Sequence, residues 1–170
     1  MANTYAPSLL DKLLGDAAEG ARGVLPRYSL ERIKDSVARD AEHVLNSHAS
    51  FSPEDLAAYP RASRSLLCLG LLDITPLSMS SDRDRQRISH SIRTALMQHD
   101  RRLRDVEVGV RNDPRGQGGL SFAIRAKLLL HPDTDTVVFD ALLHPGSQRY
   151  EVTQADPRAA LQGATPLTAA

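Results

Sequence analysis

Apolar residues recur at helical spacing through YSLERIKDSVARDAEHVLNSH. Leu30, Ile33, Val37, Ala41, Val44 and Leu45 fall on one face and charges on the other, which predicts a helix. Upstream, Leu9, Leu10, Leu13 and Leu14 line one face of a short helix, followed by the small residues of GDAAEGARG. So brief a helix is marginal alone and needs a surface to dock on, its own body or a partner. Ser52-Pro53-Glu54-Asp55 offers a cap, a proline at the first helical position and acids in the first turn, which predicts a second short helix. The apolar run RSLLCLGLLD is too short to classify by period. Ser80 or Ser81 then caps a longer helix with Asp82 and Asp84 at its positive end. Its buried stripe is Ile88, Ile92, Ala95, Leu96 and Leu103.

After Asp105 the period changes to two. Val106, Val108 and Val110 alternate with polar residues, DPRGQGG turns the chain, and Phe122, Ile124, Ala126, Leu128 and Leu130 continue the alternation. HPDTD leads into TVVFDALL, and Tyr150 with Val152 adds a last short strand. Short loops between alternating strands favour antiparallel pairing. The expected fold is α+β: N-terminal helices followed by a small antiparallel sheet of three to four strands. Residues 1–27 are expected to form a flexible segment with a short docking helix, 28–154 one domain, and 155–170, rich in Ala, Pro, Gly and Thr, a disordered tail.

Composition narrows the function. Twenty-one basic and 21 acidic residues give no net charge, so no global field draws the chain to nucleic acid or anionic lipid. No apolar run approaches the ~20 residues that span a bilayer. The N-terminus lacks the pattern of a signal peptide, which points to a cytoplasmic protein. A single cysteine, Cys68, excludes an internal disulfide.

Candidate chemistry is sparse. No local motif pairs two carboxylates among Glu42, Glu54, Asp100 and Glu107 as glycoside hydrolysis would require. The six histidines show no zinc spacing, no nucleophile elbow appears, and GQGG joins two strands without the helix and lysine of a phosphate loop. No cofactor is expected. Arginines from Arg83 to Arg104 are interrupted by Asp82, Asp84, Asp100 and Asp105, and no aromatic lies between Tyr59 and Phe122. That mixture suits a protein interface better than a nucleic-acid face.

The order PSLLDKLL, SVARDAEHVLNS, YPRASRSLLCLGLLD and HDRRLRDVEVGV resembles the TssE family of type VI secretion baseplate subunits, itself related to lysozyme-like wedge proteins of phage-tail baseplates. The likeness runs from about Pro7 to Val152. Where that family carries Glu-Pro-Arg-Leu, this chain has Asp100, Arg101, Arg102 and Leu103; the proline is replaced. The resemblance implies a structural, non-enzymatic subunit at the inner-membrane-docked baseplate. It implies TssF and TssG, with TssK, as wedge partners, the VgrG hub as a neighbour, and the TssB/TssC sheath as the element started there. Asp100 to Leu103 is then the wedge-docking corner, and Leu9, Leu10, Leu13 and Leu14 an N-terminal docking element. Arg102 either takes a partner carboxylate, oriented by Asp100, or closes an internal salt bridge at the helix-to-strand turn. An open sheet also leaves an edge for a sheath strand. That edge is expected at Val137, Val138, Phe139, Asp140 and Ala141, or in the short strand after them. A cell-wall hydrolase attached to a contractile machine is the alternative.

Overall fold

The computed structural model describes residues 4–8, 11–12, 27–52, 54–74, 76–111, 120–130, 133–144 and 146–156. Ser29 opens the first helix, α1 (Leu30–Leu45), its side chain accepting from the Arg32 amide. Ile33, Val37, Ala38, Ala41 and Leu45 form the buried face, while Leu30 and Val44 are only partly covered. Ser81 caps α2 (Asp82–His99), with Asp82 and Asp84 in the first turn, where the helix dipole favours acids. Ile88, Ile92, Ala95 and Leu96 face inward.

Two expectations at the helix ends need correction. Leu103 is not on α2: the helix stops at His99, and Leu103 is the first residue of strand β1 (Leu103–Arg111). The alternation starts late because the β1 register shifts between Arg104 and Glu107, with Asp105 at φ 50°. That bulge hides the first strand residues from a period-two pattern. The short helix expected to start at Ser52 to Asp55 is replaced by turns at 54–58, although Ser52 and Asp55 do exchange hydrogen bonds of 3.0 and 3.1 Å. No apolar stripe follows that cap, and Pro60 bars Tyr59 from helical backbone. RSLLCLGLLD contributes one of two short 3-10 turns, Leu66–Cys68, after Ala62–Arg64.

Strands β2 (Leu120–Leu129), β3 (Thr134–His144) and β4 (Arg149–Gln154) follow, all antiparallel, in the spatial order β1-β2-β3-β4. The helices cover one face, with α2 against β1 and α1 against β4. Phe122 and Phe139 are fully buried at its centre, each contributing about 1.5–3 kcal/mol through burial. On the outer face, Arg111 pairs with Asp140 at 2.7 Å, on the face that carries the buried Ser121 and Ala123. The α+β architecture with a four-stranded antiparallel sheet is as expected from the sequence.

Candidate functional site

At the corner between α2 and β1, four residues were singled out from the sequence, and three of them turn inward. Asp100 caps the helix and is 8% exposed. Its Oδ1 accepts from the Arg102 amide and from Arg102 Nε, both at 2.9 Å. Arg102 Nη2 donates to Asp100 Oδ2 at 2.6 Å and to Asp40 Oδ2 of α1 at 2.7 Å. Burial disfavours the charged guanidinium, but the two carboxylates outweigh it and hold the proton more tightly than usual. Leu103 is fully buried. Arg102 therefore closes the internal bridge through Nε and Nη2, tying α1 to the helix-to-strand turn. Arg101 is exposed and makes no hydrogen bond or ion pair among the described residues. Asp40, the third member, was not found from the sequence; it lies 62 residues from Arg102 on the polar side of its helix.

The expected free edge at Val137, Val138, Phe139, Asp140 and Ala141 is also corrected. These residues belong to β3, and all five pair with β2, while Phe139, Asp140 and Ala141 also pair with β4 on the other side. The Val138 carbonyl is taken by the Ala155 amide at 2.9 Å. A signal was present: Val137, Val138 and Phe139 are buried in succession, the apolar run of a strand covered on both faces. The strand after it is sealed as well. Asn46 donates from Nδ2 to the Tyr150 carbonyl at 2.8 Å and accepts from the Tyr150 amide at 2.9 Å. Glu42 accepts from the Val152 amide at 2.9 Å.

Those contacts set the direction of the backbone groups across the regularly paired part of the sheet. Val152 turns its amide away from β3, so its opposite Ala141 points toward β2, and Phe122 opposite Ala141 points toward β3. Val110 and Val108, opposite Phe122 and Ile124, consequently direct their amides and carbonyls outward from β1. Arg93 Nε occupies the Val106 carbonyl at 3.0 Å. Beyond it, no described residue bonds the outward groups of Val108 and Val110. Among the described residues, the distal half of β1 is an open edge of the sheet.

Leu9, Leu10, Leu13 and Leu14 lie outside the described residues. Their neighbours are tied down internally. Tyr5 and Tyr28 exchange two backbone hydrogen bonds of 2.9 Å. Asp11, 5% exposed, accepts from Ser36 Oγ at 2.5 Å, exchanges bonds with Ser8, and pairs with Arg39. Burial pushes its carboxyl up, but the Ser36 and Ser8 bonds and the Arg39 charge hold it below its ordinary value.

The segment from Ala49 to Leu72 leans on α2 and leaves a groove of about 460 Å³ between them. Gln98 Nε2 donates to the Ser63 carbonyl at 2.6 Å, and His99 Nε2 lies 2.9 Å from the Cys68 carbonyl. Glu54 is the single carboxylate among the described residues of its lining. No group of three or more His, Cys, Asp or Glu that could hold a metal is present among the described residues.

Compared with known families, residues 31–133 match the model of the baseplate wedge protein gp25. The match spans more than half of the chain, from α1 to the loop before β3, and includes the corner and the open β1 edge. Neither a curated relative nor a solved structure matched.

Proposed function

The chain belongs to the family of the baseplate wedge protein gp25, and on that premise we propose that it is the adaptor of a type VI secretion baseplate. In this role it joins the wedge core of TssF and TssG, with TssK, to the TssB/TssC sheath on the cytoplasmic side of the inner membrane. The observation that carries the proposal is the edge of β1, unpaired among the described residues and within the family-matched region. Val108 and Val110 offer outward backbone groups that a sheath strand can pair with, giving affinity through main-chain hydrogen bonds. The corner next to it serves the wedge, with Asp100, Arg102 and Leu103 as its rigid internal frame and Arg101 as the outward charge. Several copies around a tail tube bind multivalently, so each contact can be modest.

A hydrolase would need two carboxylates facing each other across a cleft. Asp40 and Asp100 both bind Arg102, and Glu54 stands alone in the groove among the described residues. These arrangements support a structural role.

The test is co-expression with TssF and TssG from the same genome, followed by sizing chromatography, and a sheath-polymerisation assay on the assembled wedge. Wild-type protein is expected to co-elute and to start sheath assembly. Val110→Pro removes one outward amide from an edge strand, where proline is tolerated. It should leave melting and wedge binding intact while stopping sheath initiation. A chain that elutes apart from a well-formed TssF–TssG complex would overturn the adaptor reading. Sheath initiation undiminished in Val110→Pro would overturn the strand-pairing part.

A further inference from the structure

We propose that the groove between α2 and the 49–72 segment is a docking site for an acidic amphipathic helix. The proposal rests on the adaptor reading for the source of that helix, a wedge partner. One wall is a stripe of α2: Arg83, Arg87, His90 and Thr94 stand at i, i+4, i+7 and i+11, all exposed. Arg83 has no partner among the described residues, and Arg87 meets only Asp84 of its own helix at 3.6 Å. The floor is apolar. Phe51 is 44% and Leu72 40% exposed, large apolar side chains that no described residue covers. Against two arginines and a histidine the lining sets one acid, Glu54.

The backbone of the walls decides what kind of chain fits. Hydrogen bonds from Gln98 and His99 occupy the Ser63 and Cys68 carbonyls, and Leu71 donates to the Ser47 carbonyl and accepts from the Ala49 amide. The α2 backbone is satisfied within the helix. A strand would find few main-chain partners here, whereas a helix offers side chains alone. From Arg83 to Gln98 the wall runs about 22 Å, four turns of helix. An occupant with apolar residues at i, i+3, i+4 and i+7 and acids beside them would cover Phe51 and Leu72 and meet Arg83 and Arg87. Charge complementarity of this kind sets orientation and encounter rate.

The probe is a four-turn helical peptide of leucine and glutamate in that pattern, with a leucine–lysine counterpart, titrated by fluorescence anisotropy into the full chain. The acidic peptide is expected to bind about tenfold or more tighter than its counterpart, and to weaken as salt rises. Arg83→Glu with Arg87→Glu, both on exposed positions, should cost about tenfold in affinity with melting unchanged. Equal binding of the lysine peptide, no binding of either, or affinity within about twofold in the double variant would overturn the proposal. So would self-association of the chain that the double variant abolishes, since the occupant would then be a second copy. The wedge experiment separates the two readings. A chain that takes the acidic peptide but ignores TssF–TssG removes the adaptor and keeps the groove. A double variant that enters the wedge as well as wild type removes the groove and keeps the adaptor.

Discussion

The Asn46 side chain imitates a neighbouring strand for Tyr150, donating to its carbonyl at 2.8 Å and accepting from its amide at 2.9 Å. One residue past the end of α1 thereby closes the edge of β4 and fixes the helix to the sheet. Removing it leaves a partly buried amide and carbonyl without partners, a loss of about 1–3 kcal/mol. Asn46→Ala should therefore lower the urea midpoint, with Asn46→Asp, which keeps the acceptor alone, in between. The variant should also self-associate with rising concentration, because β4 becomes a second open edge. Equal midpoints in Asn46→Ala and wild type would contradict this account.

Arg102 and Arg101 are neighbours with opposite predicted effects. Arg102 neutralises Asp40 and Asp100 together, and without it two carboxylates face one another around a gap. Asp40 Oδ1 is already buried without a partner among the described residues, so there is little left to absorb the loss. Arg102→Ala should destabilise by about 3 kcal/mol, the low end for a broken buried pair because the guanidinium keeps some contact with water. Arg101→Glu should change stability by less than about 0.5 kcal/mol yet weaken wedge binding. Denaturant melts and the sizing assay on the same two proteins separate the effects. If Arg102→Ala melts like wild type, the ion network is not what holds the corner.

The elements with clean periods were legible in the sequence because their signals are local. The spacing of Ile33, Val37 and Ala41 announces α1, a cap at Ser80 or Ser81 announces α2, and alternation from Phe122 to Leu130 announces β2. What was not legible depends on pairs far apart in the chain. Asp40 with Arg102 and Asn46 with Tyr150 are 62 and 104 residues apart, and nothing near either residue marks its partner. Strand order is of the same kind. Alternation shows which side of a strand faces the core but not which strand lies outermost, so the open edge was expected in β3 or the strand after it, and among the described residues β1 is open. The exposed apolar groove was masked for another reason. Phe51 and Leu72 look like core residues in a linear sequence, and only their exposure of 44 and 40% sets them apart.

Gly70 carries the crossing of the 49–72 segment past the end of α1. Its φ is +105°, a region open to glycine and rarely to other residues, and a methyl group there would run into the Ser47 carbonyl. The same approach lets the Leu71 amide reach the Ser47 carbonyl at 2.9 Å. Gly70→Ala must move backbone rather than a side chain, and backbone strain of this kind costs about 1–3 kcal/mol. The expected outcome is a lower midpoint and a groove that no longer binds the acidic peptide, because the segment bearing Phe51 and Leu72 shifts. Gly146→Ala, where nothing lies near the added methyl, is the control and should leave both unchanged.

Asp11 makes attachment of the N-terminal segment depend on pH. Burial alone would raise its carboxyl, but hydrogen bonds from Ser36 and Ser8 and the charge of Arg39 reverse the sign, so the folded value lies below the unfolded one. Between the two values the unfolded chain binds more protons, and stability rises with pH there. The contribution is complete above the ordinary aspartate value of about 4 and is lost as pH falls through the depressed folded value. Asp11→Asn cannot titrate. The stability gap between wild type and Asp11→Asn, read from urea melts at a series of pH values, should be largest near neutrality and shrink through the acid range. A gap that stays constant with pH would mean that Asp11 holds the segment by shape and neutral hydrogen bonds, with its charge making no difference.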